Sequence, residues 1–300
     1  MVKSMFAAIS GLQAHQSKMD VIGNNIANVN TWGYKTRSAN FQDSMYMNMS
    51  TGSEGNTGDG GVGGSNTSQL GYGSNLGSIT TNFSTGGRAF TGSGWNAMID
   101  GTGFFIVGDM NNTPINATEI ANSNLALSRV GIFSIDSNGY LVDSQSNYVY
   151  GYEVAADTGA VTTGDTIKPI KVPDDAAGNP QSILTLSIAK DGTLSGISDS
   201  GDKIYIGKLA LASVENINGL EQSAGYLYDI GKNAGTVKSV ETGSSGSGTG
   251  LILSNYLEMS NANLATDIAD MITTQRGYQA NSKVITVTDE MLEQLVNMKR

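Results

Sequence analysis

One histidine, His15, and no cysteine occur in the 300 residues, so the side chains able to act as base, nucleophile or metal ligand are nearly all hydroxyls and carboxylates. The lack of cysteine removes disulfides, CxxC redox pairs, thiolate nucleophiles and thiolate metal sites together. His15 stands beside Gln16 and near Lys18, with no carboxylate or nucleophile at helical spacing, which favours a packed or surface helix residue over a catalytic base. "GDGGVGG" is glycine-rich, but no strand pattern precedes it, no helix pattern follows it and no Lys-Ser or Lys-Thr closes it, so a phosphate loop is not supported. "DSNGYLVD" places Asp136, Asn138 and Asp143 in an order that loosely resembles the opening of a calcium loop. The closing Glu is missing and Tyr140 and Leu141 stand where ligands would continue, so a hairpin turn is the better reading. The residue chemistry predicts no enzyme, no cofactor and no metal.

The balance of charge narrows the partners. A net charge of −10 and a pI near 4.5 argue against nucleic acid and against an anionic membrane surface, both of which need basic patches. No run approaches the roughly 18 apolar residues of a membrane span. "MVKSMFAAISGLQAHQSK" turns polar too soon for a signal-peptide core, so the expectation is a soluble chain that, if exported, leaves without N-terminal cleavage. With 39 Gly, 4 Pro and 15% charged residues, short strands and turns are favoured over a large helical bundle.

Elements that could position side chains follow from periodicity. Met5, Leu12, Met19 and Ile26 recur every seven residues, with Val2 and Ile9 between them, and predict an N-terminal helix over 1–30. Leu257, Leu264, Met271, Tyr278, Ile285 and Leu292 keep the same spacing and predict a C-terminal helix over 257–300. Ser260 or Asn263 can cap its start, Asp267 and Asp270 suit the positive end of its dipole, and Lys299 and Arg300 the other end. A second stripe, Val284, Val287, Met291, Leu295 and Met298, gives this helix more apolar surface than one partner covers. Between the helices the period falls to two in "FFIVGD", "GIFSIDSNGYLVD", "ILTLSIAKDGTLSG" and "KIYIGKLALASV", with hairpin chemistry at Asn138-Gly139 and Asp191-Gly192. The expected fold class is α+β: two terminal helices forming a coiled-coil unit, with a mainly antiparallel β domain between them. The expected boundaries are an extended Gly/Ser/Asn-rich linker over 31–69, a β-rich outer domain over 70–240 and a linker over 241–256. Any second outer domain, around 152–190, is reduced or absent.

The stretch "DVIGNNIANVNTWGYKTR" carries Asn24, Asn25, Asn28 and Asn30 just after the first heptads. One reading has Asn28 and Asn30 ending the helix and Gly33 turning the chain. The other notes Trp32, Tyr34 and Phe41 nearby, aromatics that are useful at contacts between copies. Lys35 and Arg37 are expected to meet acidic neighbours.

Three segments resemble the bacterial flagellar rod and hook proteins. The N-terminal "SMFAAISGLQAHQSKMDVIGNNIANVNTWGYKTRSANFQDSM" is similar to that family's N-N-I-A-N-x-N-T-x-G-[FY]-K signature. "NAMIDGTGFFIV" resembles its D-x-A-I-x-G-x-G-F-F-V segment, with Met98 at a hydrophobe position. "LEMSNANLATDIADMITTQRGYQANSKVITVTDEMLEQLVNMKR" matches the C-terminal signature at positions that include Leu257, Glu258, Asn261, Gln275, Arg276 and Asn281. Within the family, "ISGL", the "YVYGY" at Tyr148 to Tyr152 and "IKPIKVP" resemble hook subunits more than the distal rod. Two features depart from the hook pattern: a short stretch between Tyr152 and Lys190, and Gly277 inside the C-terminal helix, a cost of about 1 kcal/mol against Ala.

The resemblance implies a non-enzymatic subunit of the flagellar hook, self-assembling into a flexible tube, a universal joint that passes torque from rod to filament. Its alternative is the distal rod protein, which forms a rigid tube; a rival from another class is a secreted β-rich carbohydrate-binding or hydrolytic protein. The implied partners are copies of itself, rod and hook-filament junction proteins, the hook cap and the flagellar export apparatus, with no nucleic acid and no membrane, in an extracellular part of the flagellum. Subunit contacts are expected at Met5, Leu12, Met19 and Ile26, at Asn24, Asn25, Asn28, Trp32 and Tyr34, and at Leu257, Leu264, Met271, Tyr278, Ile285 and Leu292.

Overall fold

The structure, a computed structural model, describes residues 2–55, 63–111, 113–116, 120, 123–155, 161, 166–173, 183–199, 201–241 and 249–298. The tip of the first expected linker, 242–248 of the second, parts of 152–190 and the pair Lys299 and Arg300 lie outside the described residues, and the described part of the second expected linker includes the strand Leu251–Ser254. The chain divides into two compact units, the first built from Met1–Asn28, Thr36–Asn82 and Ala262–Arg300, the second from Val29–Lys35 and Phe83–Asn261.

Two long helices frame the first unit, α1 over Val2–Ala27 and α2 over Leu264–Asn297. Asn263, the second of the two expected caps, starts α2: its backbone is extended and its side chain accepts from the Ala265 N–H, with Asp267 in the first turn. The helix therefore begins seven residues later than the heptads suggest, and Leu257 belongs to a strand, Tyr256–Glu258, of the second unit. A heptad count cannot see the cap that interrupts it. The helices run antiparallel and meet through complementary sizes: a Cβ on Gly11 would fall 2.8 Å from the Asn281 amide nitrogen, and one on Gly277 would fall 2.7 Å from the His15 imidazole. Gly277, a weak point by helix propensity, is the hollow that receives His15.

The rest of the first unit is a ribbon. Strand Arg37–Asp43 pairs antiparallel with Ser74–Thr81 across a bulge between Asn40 and Phe41, and Tyr46–Ser50 pairs with Ser68–Gly71. Strands thus occupy much of a segment whose composition reads as linker. Its polar residues fall on both faces, so a two-stranded ribbon satisfies the backbone while no alternation marks a core side. The ribbon meets α1 where Phe41 packs edge-on against His15, with ring centroids 5.7 Å apart.

Every strand pairing described in the second unit is antiparallel, most of them within one 13-stranded sheet. Its centre is Lys203–Val214, flanked by Phe104–Gly108 and Tyr148–Tyr152. These strands are covered on both faces: Phe105, Val107, Leu209 and Leu211 enter one apolar cluster, while Phe104, Ile106, Ala210 and Ala212 enter another. The hairpins expected at "DSNG" and "KDG" form, but the positive φ falls on Gly139 (82°) and Gly192 (83°) and not on the Asn or Asp before them. Of the stretch 152–190, the described strands Thr166–Pro169 and Ile183–Ile188 belong to this same sheet.

Candidate functional site

Apolar side chains left uncovered are concentrated in the first unit. On α2, Leu264, Ile268, Ile272, Val284, Val287, Met291, Leu295 and Met298 are all exposed, Val287 at 38% and Met291 at 43%. A groove lined by Ser4, Ala280, Lys283, Val284, Val287, Thr288 and Met291 runs along this stripe. The two buried residues of α2 are Thr274 and Thr288, whose hydroxyls donate back to the carbonyls of Asp270 and Val284, so even its covered face is not a conventional apolar core.

The residues expected at subunit contacts lie at different depths. Met5, Leu12, Met19 and Ile26 are half-buried, and the fully buried positions of α1 are Ala8, Gly11, Ala14, Ile22 and Asn25. Met271, Tyr278, Ile285 and Leu292 are also half-buried, Leu264 is exposed, and Leu257 is buried in the second unit. Among the amides, Asn24 is exposed and accepts from the Asn28 side chain within the last turn of α1. Asn25 donates through Nδ2 to the Arg37 carbonyl at 2.9 Å and accepts through Oδ1 from the Arg37 N–H at 3.0 Å. It acts as a surrogate strand residue that fixes the start of the ribbon, a task that needs donor and acceptor on one uncharged group. Trp32 is 37% exposed and Tyr34 half-buried. The left-handed turn of the segment is at Gly33, with φ 67°.

The calcium-loop candidates do not converge. Asp136 accepts from Asn138 inside its own turn, and Asp143 is buried, with Oδ1 accepting from the Ser144 N–H at 2.7 Å and Oδ2 without a hydrogen-bond partner. Burial pushes the Asp143 carboxyl up to about 6, against the opposing pull of Tyr226 and the Ser144 N–H. Among the described residues, a cleft lined by residues that include Tyr140, Tyr152, Glu153, Lys168 and Lys171 holds one carboxylate, Glu153, and Lys168 engages it at 3.0 Å.

In the second unit the polar side chains do converge, on Glu258. Its Oε1 accepts from Lys35 Nζ at 2.7 Å and from the Gly86 N–H at 2.8 Å, and its Oε2 accepts from Arg129 Nε at 2.7 Å. The three charged side chains are 3% exposed or less. Lys35 also donates to the Ser84 carbonyl, and Arg129 to the carbonyls of Ile99, Gly101 and Gly103. Burial raises the Glu258 carboxyl, but Arg129 and Lys35 outweigh it and hold the group below the ordinary carboxylate value. Burial likewise draws the Lys35 amine down, and Glu258 opposes that shift. Lys35 thus meets the acidic neighbour expected of it. Arg129 was legible only as a lone charge in the apolar run "LALSRVGIF", and Glu258 only as an acid between Leu257 and Met259.

Comparison with known proteins returns to the same segments. The model described as flagella basal body rod protein matches residues 5–35, ending on Lys35, and that described as flagellar basal body rod FlgEFG protein C-terminal matches residues 253–298, which include Glu258. The chain is 36% identical over 300 residues to the flagellar basal-body rod protein FlgG of Bacillus subtilis, covering 100% of both. It is 33% identical to FlgG of Buchnera aphidicola subsp. Schizaphis graminum, covering 98% of this chain and 99% of that one. To the flagellar hook protein FlgE of Borreliella burgdorferi it is 25% identical over an alignment of 459 residues covering 100% of both. The chain belongs to the bacterial flagellar rod and hook protein family, and the two terminal signatures of that family meet here on one buried carboxylate.

Proposed function

We propose that this chain is the subunit of the distal rod, a non-enzymatic protein that assembles with copies of itself into a stiff tube within the flagellar basal body. The observation that carries the reading is length: the B. subtilis rod protein aligns end to end over 300 residues, whereas the hook relative needs an alignment of 459 and so contains a large part with no counterpart here. This reverses the preference drawn from the hook-like segments. Tyr148–Tyr152 and Thr166–Pro169 are paired strands of the sheet, so their sequences report its packing and do not distinguish a rigid tube from a bending one.

The uncovered stripe on α2 supports self-assembly, because apolar surface of this extent is stabilised only when neighbouring copies remove it from water. On this reading its partners are other copies, the adjoining axial proteins and the export apparatus that delivers the chain. Electron microscopy of polymers grown from the purified full-length chain tests the assignment. Straight tubes that do not bend are expected; curved, pliable polymers would return the protein to the hook.

A further inference from the structure

The chain passes between its two units four times, after residues 28, 35, 82 and 261. Three of those crossings are gathered at Glu258. Lys35 is the last residue of the second unit before one crossing, Ser84 and Gly86 lie just after another, and Glu258 lies just before the last. Backbone bonds add to the gathering: the Gly33 N–H donates to the Glu258 carbonyl at 2.8 Å and the Asn261 N–H to the Tyr34 carbonyl at 3.4 Å. The Asn261 side chain donates to Ser84. Arg129 then ties this cluster inward, because its guanidinium holds the carbonyls of Gly101 and Gly103, the residues that lead into the buried strand Phe104–Gly108.

We propose that Lys35, Glu258 and Arg129 form a clamp that makes these three crossings one mechanical junction, so that a force on any one of the connecting segments is shared by the others and delivered to the sheet. Stability alone is a poor reason for such a group, since a buried ion triad is commonly no better than well-packed apolar side chains. Its position is the distinguishing fact. Among the described residues, the side-chain partners of Glu258 are Lys35 and Gly86, which border crossings, and Arg129, which reaches the sheet. The value of a shared junction to a torque-bearing tube rests on the structural-subunit reading above. The clamp itself does not, and its test needs no polymer.

Hydrogen exchange on the full-length monomer, with Glu258→Gln compared with the parent chain, reads the clamp directly. The Gly33, Gly86 and Asn261 amides should lose protection by at least about tenfold more than the amides of Phe104–Gly108 and Lys203–Val214, because the junction opens while the sheet stays closed. Lys35→Met, which leaves Glu258 and Arg129 paired, keeps the test available if the first variant folds poorly. It should produce the same selective loss at Gly33 and Gly86 by a smaller factor. An equal loss in junction and sheet would show a core ion group with no clamping role, and no loss at the junction would remove the proposal.

Discussion

Phe105 and Leu211 in the second unit are 0% exposed, whereas Leu264 and Leu295 on α2 are each 45% exposed, although all four are large apolar side chains of one sequence. The second unit closes its core on itself, with its central strands covered on both faces and Lys35, Glu258 and Arg129 paired. The first is two helices and a polar ribbon, with small residues and threonine hydroxyls where a core would be. The contrast teaches that apolar burial is divided unevenly between the two units. One unit buries most of its large apolar side chains, and the other leaves many of its own exposed to water, the surface proposed above to join copies.

Breaking the closed side should give the largest effect. Phe105→Ala removes a ring that packs edge-on against Phe133 at 5.2 Å, and it is expected to cost about 3–5 kcal/mol in the unfolding of the second unit, measured by denaturant titration. A cost below about 1 kcal/mol would mean that the sheet is not the independent core described.

A smaller effect comes from Asp143. Its folded carboxyl, raised from 3.8 to about 6, keeps a proton that the unfolded chain loses first. Stability is therefore fully present below 3.8 and is lost as pH rises from there through about 6, by roughly 3 kcal/mol. In Asp143→Asn this slope should vanish from unfolding midpoints measured across that window, while an unchanged slope would place the titration elsewhere.

The first unit is sharpened by two glycines of opposite expectation. Nothing lies within 4 Å of a Cβ added at Gly23, so Gly23→Ala should stabilise α1 by about 0.5–1 kcal/mol. Gly277→Ala gains the same propensity but drives a methyl into the His15 ring, and it should lose about 1–2 kcal/mol net. Thermal melting followed by the helical circular dichroism signal separates the two. Similar gains from both would mean that the His15 hollow does not exist.

Much of this contrast could be read before the structure. The two helices, the hairpins at Gly139 and Gly192 and the uncovered stripe from Val284 to Met298 follow from periodicity and turn chemistry, since each is written in neighbouring residues. The ribbon over Arg37–Asp43 escaped because it has no buried face to impose alternation. Leu257 kept heptad spacing by coincidence across a cap at Asn263. The Glu258 group was beyond reach for a different reason: Lys35 and Glu258 stand 223 residues apart, and no local pattern pairs them. Gly277 looked like a defect because propensity is a property of one helix, whereas its purpose lies in the other.

We propose that the stripe on α2 is the surface by which copies of this chain join. Val287→Asp tests it most directly, since Val287 is 38% exposed, lines the groove along the stripe and is absent from both apolar clusters of the second unit. Sedimentation of the full-length chain under polymerising conditions, beside the unfolding of the second unit in the same sample, gives both readings. The variant should remain in the supernatant while its second unit unfolds as in the parent chain. A variant that pellets as straight tubes as readily as the parent would contradict it.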